Sequence, residues 1–402
     1  MPNAFQNIRL VTYETLDILQ PNMAFGNAVD KSYASDFGDE SYQVGDTIYI
    51  RLSQQFLGRS GAAISLENLS DRTTPLTITT QYGVDFAITS KERALNIENL
   101  RDRYLKPGFV TVASKVDRDG LLMAVLTTPN FVGTPGTVPT DDTIRNATVI
   151  LDENDAPSDA DRWLMIPSKM EAQILTATKV QFNDQAELGR QYMRGRMGTA
   201  LGYDWVMTQN LPRLTTGNYG GTPAIAGAGQ TGSTLNLSGF TASGTLNAGD
   251  RFTIPGVFNV ENVGKVSTGT LKQFLVTTAA SISGTGTVAA AISPAIVATG
   301  QYQNVSNAPA SGALVTMIGA GNTSYGVGLA FHRTAFTLAF VPLNMPSGSV
   351  DTKFQIPSDS GQVPIRALSQ YQIATDQEIF RTDVLYGYGV LEPAKAVVIY
   401  GN

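Results

Sequence analysis

Apolar residues recur at helical spacing over residues 5–20, where Ile8, Val11, Thr12 and Thr15 share a face that Leu16 and Leu19 extend. The next segment, Pro21 to Tyr42, keeps no period and reads as an extended arm. The pattern then switches to alternation. Residues 47–57 (TIYIRLSQQFL) and 74–88 (TPLTITTQYGVDFAI) are both rich in β-formers. Gly45-Asp46 is a turn signal before the first run, and a polar tip with Gly58, Gly61 and Asp71 separates the two. Together they predict a long hairpin, roughly 35 Å in reach at ~3.3 Å per residue. A two-stranded ribbon alone is marginal in water. This arm is therefore expected to lie on another subunit.

Residues 90–105 read as a charged helix or pair of turns. Pro107 suits the first position of a new helix. Phe109, Val112, Ala113, Val116 and Met123 then share a stripe, with Gly120 between them and Lys115 and Asp119 paired at i,i+4 on the solvent side. This helix is predicted to reach about Thr127, roughly 30 Å along its axis, and is the longest in the reading. A Gly/Pro/Thr loop covers 128–142, and 143–151 fits either helix or strand. An acidic loop, DENDAPSDADR, leads into WLMIP, a buried-strand signal closed by Pro167. A helix follows at 168–178. Residues 188–211 place glycines at every turn with aromatics between them, and the stretch from Ile365 to Gly401 alternates like the strands of a twisted sheet.

Charge changes the picture in the middle of the chain. Residues 215–331 carry only five charged side chains, Asp250, Arg251, Glu261, Lys265 and Lys272, among abundant Gly, Thr, Ser and Ala. This reads as a β module inserted into an α+β framework. Its clearest piece, TLNAGDRFTIPGVFNVENVGK, gives a Gly249-Asp250 turn, a strand from Arg251 to Ile254 and a Pro255-Gly256 turn. Short strands at this spacing predict a small barrel or sandwich. Helical character is expected to return after Gly312 (ALVTMI), followed by strands in LAFHRTAFTLAFVPL.

A chain of 402 residues with 42% apolar content predicts two or three packing units. A net charge of −6 argues against tight sequence-independent nucleic-acid binding. The absence of Cys excludes disulfides, thiolate chemistry and Cys-based zinc sites. The N-terminus lacks the basic-then-apolar pattern of a signal peptide. No run approaches the roughly 20 apolar residues of a membrane span, so a soluble chain made in the cytoplasm is expected.

Reactive constellations fare poorly. Gly227, Gly229 and Gly232 spell G-x-G-x-x-G, but a Pro223-containing loop precedes them and a Ser/Thr strand follows, where a dinucleotide site needs strand then helix. Asp152, Asn154, Asp155, Asp159 and Asp161 resemble a cation loop, yet Pro157 and Trp163 stand where calcium loops place Gly and Glu. His332 is the sole histidine and no G-x-S-x-G elbow accompanies it, so a structural role is preferred to a hydrolytic one. Arg190, Arg194 and Arg196 cluster among glycines, either as a subunit contact or as a solvated loop. N-x-S/T patterns at Asn68, Asn146, Asn236, Asn304 and Asn322 are read as compositional.

The ordered set VGDTIYIRL, the Pro107 helix, DADRWLMIP, GRMGTALGYDWVMTQNLPR, GDRFTIPGV, AFHRTAFTLAF and RTDVLYGYGVLEPAKAVVI resembles the major capsid (coat) proteins of tailed double-stranded-DNA bacteriophages. It is most similar to the Salmonella short-tailed phage type, which carries an insertion domain. The resemblance covers nearly the whole chain. It implies the α+β Hong Kong phage capsid fold. The expected parts are an N-terminal arm (1–35), an extended β-hairpin loop (36–89), a peripheral domain with the spine helix (90–160 and 346–402), an axial domain (161–225 and 311–345) and an inserted small β-barrel (226–310).

The resemblance also implies a function. The subunit would self-assemble as hexamers and pentamers into an icosahedral virion shell, without cofactor, metal or membrane, in the cytoplasm of a bacterial host. Its partners would be a separate scaffolding protein, a portal protein at one vertex and packaged double-stranded DNA held without sequence-specific binding, with a decoration protein as a further candidate. Expected subunit contacts are Ile48, Ile50, Leu52, Phe56, Arg59, Arg72, Arg194 and Arg196. Some relatives cross-link through a Lys of the extended loop; no Lys lies between Lys31 and Lys91 here, so that chemistry is not supported. The chain begins at the arm, without a long helical scaffolding segment, which is why a separate scaffolding protein is expected. The insert is short for this type, which leaves a long two-fold contact loop without support. The alternatives are a β-rich phage appendage or decoration protein, which the long amphipathic helix and the lack of repeats oppose, and a hydrolase using His332.

Overall fold

The computed structural model describes residues 8–37, 47–58, 61–62, 64, 66–67, 71–90, 106–178, 198–346, 352–355 and 363–401. Expectations for 38–46, 91–105 and 179–197 lie outside them. The chain forms two compact units, each described by itself: Met1–Arg51 with Thr73–Gly120 and Phe336–Leu391, and Leu52–Arg72 with Leu121–Ala335 and Glu392–Asn402.

In the first unit the opening helix runs Ile8–Asn22 and buries Thr15, Leu16, Ile18 and Leu19. The segment after it is not extended. It forms a short helix, Ala24–Ala28, and a 3-10 turn, Ser32–Phe37, with Met23, Phe25, Ala28 and Val29 fully buried. The cause is non-local. Asp117 accepts the backbone N–H groups of Ala24 at 2.6 Å and Gly26 at 3.0 Å, which satisfies donors that a helix start leaves orphaned. Asp117 stands on the long helix, Lys106–Thr127, which starts with Pro107 in its first turn as the spacing predicted. Phe109, Val112, Ala113 and Val116 are all buried. Gly120 continues that stripe: a Cβ there would come within 2.5 Å of Tyr388 and 2.6 Å of Phe25. Tyr388 donates to the Val116 carbonyl at 3.1 Å, and Tyr386 donates to Asp119 at 2.8 Å. The Lys115–Asp119 pair (2.5 Å) therefore also ties the helix to a sheet.

That five-stranded sheet is built on Gln377–Val390. Arg366–Gln372 pairs with it, and so do Phe336–Phe340 and Thr80–Thr89. Here the hairpin expectation needs correction. The arm ladder has only five pairs, Thr47↔Thr77 to Arg51↔Thr73, and the rest of the second alternating run leaves to pair with Gln377–Tyr386. Alternation marks a strand but does not choose its neighbour. The longer ladder wins because it adds Thr80–Thr89 to a broad sheet, where Phe86 stacks on Phe380 at 5.2 Å. The glycines of the sequence GYG let the arm base pass close to this strand. A Cβ at Gly387 would meet the Thr77 carbonyl at 2.1 Å, and one at Gly389 would meet Leu76 at 3.0 Å.

The second unit holds a seven-stranded sheet and a barrel. Ala396–Tyr400 lies between Ser324–His332, antiparallel, and Phe131–Val132, parallel. All of its residues are buried, as expected for a continuous apolar run covered on both faces. The WLMIP strand is present as Arg162–Ile166, followed by the helix Ser168–Thr178. The ambiguous 143–151 is helix, Asp141–Glu153, with Ile144, Ala147 and Leu151 buried on one face and Asp141 and Asp142 in the favourable first turn.

The insert is a closed barrel. Its six strands run in the order Thr316–Met317, Arg251–Val260, Ser267–Val276, Val288–Ile296, Gly232–Phe240 and Gly221–Ile225. The circle closes where Val315 donates to the Pro223 carbonyl at 2.8 Å and Ile225 to the Ala313 carbonyl at 3.0 Å. Leu235, Leu237, Phe252, Ile254, Phe274, Val276 and Ile292 fill it. Two expectations fall here. ALVTMI is not helical: it supplies the closing strand, because a short apolar run carries no period that separates helix from strand. Pro255-Gly256 does not end its strand but sits where the register shifts between Thr253 and Phe258, with Gly256 at φ +81°. The G-x-G-x-x-G motif joins two strands, Gly221–Ile225 and Gly232–Phe240, with all three glycines at positive φ and no helix after them.

Asp117 gives the first test. Burial raises its carboxyl to about 6 from 3.8, outweighing the Gly26, Ala24 and Phe25 N–H groups that favour the anion. A raised acid contributes stability that is complete below its unfolded value and is lost as pH rises through its folded value. Between pH 4 and 7 this residue should therefore remove about 2 kcal/mol from the subunit as pH rises. Asp117→Asn, followed by urea unfolding across that range, should flatten its share of the slope; an unaltered profile would acquit Asp117.

Candidate assembly site: the arm and the barrel seat

Strand alternation assigns the arm its two faces. Ile50 and Leu76 point inward and are buried within the first unit, Ile48 is half-buried, and Tyr49 is 69% exposed. The neck of the tip, part of the second unit, is hydrogen-bonded at its described residues. Leu52 N–H donates to the Arg72 carbonyl at 2.8 Å, and Glu67 accepts the N–H groups of Leu57 and Gly58, each at 3.0 Å. Leu52 is half-buried. Phe56 (56%), Ile64 (80%) and Leu66 (91%) are bare. Such concentrated apolar exposure is what a contact surface presents. Arg59, Arg194 and Arg196 lie outside the described residues, as does Arg190.

Arg72 sits with its guanidinium 5.0 Å from the ring centre of Tyr302. Tyr302 donates its hydroxyl to Gln54 at 2.7 Å, and the Gln301 amide donates to the Gln55 carbonyl. These two barrel residues were not legible in the sequence as partners of the arm, since nothing local links positions so far apart in the chain.

The barrel is seated on the rest of its unit by the few charges it has. Arg251 is fully buried and donates to the carbonyls of Val125 (2.5 Å), Thr128 (2.9 and 3.1 Å) and Gly249 (3.2 Å), and to the Tyr400 hydroxyl (3.3 Å). Val125 and Thr128 belong to the C-terminal end of the long helix, whose last carbonyls have no partners of their own and carry partial negative charge. A guanidinium, with five donors in a fixed fork, suits that end. Asp250 beside it accepts the N–H groups of Asn247 (2.7 Å) and Gly217 (3.2 Å). Burial pushes its carboxyl up to about 6, against the opposing N–H donors and the Arg251 charge. The turn before them needs Gly249: its φ is +98°, and a Cβ there would meet Leu126 and Leu214 at 2.8 Å each.

Further along, Gln273 pairs with both backbone groups of Phe131, accepting its N–H at 2.7 Å and donating to its carbonyl at 2.9 Å, as a neighbouring strand would. Thr270 donates to Glu153 (2.9 Å) and Asn262 to Asp155 (2.6 Å). Lys272, buried and bonded to Asn259 at 2.7 Å, has its ammonium pulled down to about 8 by burial, with Glu153 opposing.

The remaining candidates are engaged structurally. His332 is buried; Asp159 lies 3.1 Å from Nε2, and the Thr334 N–H donates to Nδ1 at 3.3 Å. In the acidic loop Arg162 supplies the cation. It donates to Asp152 (2.6 Å) and to the carbonyls of Ala156 and Pro157 (2.7 Å each). Among the described residues no group of three or more His, Cys, Asp or Glu is placed to hold a metal, and no helix is long and apolar enough to cross a membrane.

The family model described as "P22 coat protein - gene protein 5" matches residues 2–401. The chain belongs to this family of coat proteins, and it is a structural protein, a major capsid protein that forms the shell of a tailed phage. Solved structures are distantly similar. One from Mycobacterium phage Che8 is 14% identical, with 94% of this chain and 90% of that one covered and a TM-score of 0.48. The capsid structure of the cyanophage P-SCSP1u is 13% identical over 90% and 85%, at 0.45. The capsid of Ralstonia phage GP4 is 9% identical over 90% and 85%, at 0.44. Among curated proteins none matches. Membership rests on the family model.

Arg251 supplies the second test. Arg251→Ala would leave the Val125 and Thr128 carbonyls buried without donors and should destabilise the unit by about 3–5 kcal/mol in urea unfolding. Arg251→Lys, a single ammonium in place of the fork, should recover only part of the loss. Full stability in Arg251→Ala would show that the seat does not depend on this cation.

Proposed function

We propose that the subunit tiles an icosahedral wall as hexamers and pentamers around packaged double-stranded DNA, and that it does so without catalytic chemistry. The observation that carries this reading is the arm tip, where Phe56, Ile64 and Leu66 stand in water while Glu67 holds the N–H groups of Leu57 and Gly58. A folded loop that keeps its apolar residues outside gains from covering them, at about 25 cal/mol per Å², and a closed lattice repeats the gain at every copy. The net charge of −6 suits a container that must let DNA slide during packaging.

In this reading Lys106–Thr127 is the spine helix, the sheet around Gln377–Val390 is the peripheral layer, and the seven-stranded sheet is the axial one. The expected boundaries at 35, 89, 160, 225, 310 and 345 belong to the same proposal. So do a separate scaffolding protein, a portal protein at one vertex, and assembly in the bacterial cytoplasm. A decoration protein on the outer surface is a further candidate partner.

The test is co-expression with a scaffolding protein, followed by electron microscopy. Wild type should give closed shells. Ile64→Asp with Leu66→Asp should leave a folded monomer and raise the concentration needed for assembly by more than about tenfold, the loss expected when even one large apolar contact is removed. Ile50→Asp should behave differently, unfolding the monomer, because that side chain is already buried in its own unit. Normal shells from the tip double variant would overturn the arm as the assembling element.

A further inference from the structure

The turn that touches the arm is itself held rigidly. Gln301 and Tyr302 lie at its apex, where Gln303 N–H donates to the Gly300 carbonyl at 3.1 Å. Immediately after it, Asn304 is bonded three ways to the preceding strand. Its N–H donates to the Val297 carbonyl (3.0 Å), its Oδ1 accepts the Val297 N–H (3.0 Å), and its Nδ2 donates to the Ala295 carbonyl (2.7 Å). Val305 then plugs into the barrel core, fully buried. The apex thus presents an amide and a phenol from a fixed base. On the other side, Gln54, Gln55 and Arg72 flank the neck that the Leu52–Arg72 backbone bond closes.

We propose that the 300–303 turn of the barrel is a clip for the extended arm of its own subunit. It grips the polar side of the neck and leaves the apolar tip free for a second copy of this chain. The chemistry divides the loop cleanly. The hydrogen bonds and the cation–π contact to the clip come from Gln54, Gln55 and Arg72, while Phe56, Ile64 and Leu66 are exposed. A loop held in one conformation before docking loses less entropy when it docks. The barrel then does more than add stability: it presets the assembling element of the same chain. The tip's use in assembly rests on the coat-subunit reading; the clip itself does not.

The test uses the full-length monomer and amide hydrogen exchange. The reporters are the Leu52, Leu57 and Gly58 amides, with barrel strands Gly232–Phe240 and Val288–Ile296 as internal control. Tyr302→Ala with Gln301→Ala should speed exchange at the arm reporters by about tenfold, the effect of losing one or two net hydrogen bonds from a local opening, and leave the control strands unchanged. Gln54→Ala with Arg72→Ala attacks the clip from the arm side, where barrel folding is not at stake, and should give the same acceleration. Tyr302→Phe keeps the ring under Arg72 and should fall between. Unchanged arm exchange in both double variants overturns the clip. Failure of wild type to form shells would overturn the coat reading while leaving the exchange result to stand for the clip alone.

Discussion

The second unit depends on one buried cation. Burying a guanidinium is costly unless its donors are used, and five buried carbonyl or hydroxyl contacts to Arg251 use them. The partners explain why the cost is accepted. Val125 and Thr128 end a 22-residue helix, Gly249 belongs to the turn that starts the barrel strand, and Tyr400 belongs to the last strand of the chain. A single side chain therefore fixes three segments that are far apart in sequence. A hydrophobic substitute would fill the space but leave the helix carbonyls unpaired, so the position requires a donor with a fork.

The same logic explains the sparse charge of the insert. A polar, turn-rich block with five ionisable side chains looks at first like a solvated module. Three of the five, Asp250, Arg251 and Lys272, are instead buried. Asp250 and Arg251 are adjacent in sequence and divide the work, one accepting loop N–H groups and the other donating to carbonyls. Low charge here is not low importance. The block spends its surface on Thr, Ser and Gly and keeps Asp250 and Arg251 for the place where backbone groups from separate segments must be satisfied in the interior.

What the sequence made legible follows the range of the interaction. The long helix was readable because Pro107 and the stripe from Phe109 to Val116 are local signals, and the buried strand at Arg162–Ile166 because an unbroken apolar run needs two covers; Ala396–Tyr400 was read only as part of an alternating stretch and is buried throughout. The Gly249-Asp250 turn was found, but the reason for its residues was not, since Val125, Thr128 and Tyr400 lie more than a hundred positions from Arg251. The helix Ala24–Ala28 was missed for the same cause: its start is held by Asp117 and its sequence alone shows no period. The length of the arm ladder was overestimated because alternation is identical whether Thr80–Thr89 continues a hairpin or joins Gln377–Val390. Of the exposed apolar residues of the tip, Phe56 was singled out, while Ile64 and Leu66 stood in a stretch read only as a polar turn.

The arm shows where a shell subunit places its free energy. Its ladder is five pairs long, too short to be stable as an isolated hairpin, and its inward residues, Ile50 and Leu76, are covered within the subunit. What remains outside is a small apolar surface on a tip whose backbone is already bonded through Leu52, Leu57 and Gly58. A larger bare surface would drive monomers together without geometry, since apolar attraction has no direction. A smaller one, in a loop still to be ordered, would lose its gain to conformational entropy. A modest apolar area beside a neck that is already hydrogen-bonded lies between these limits.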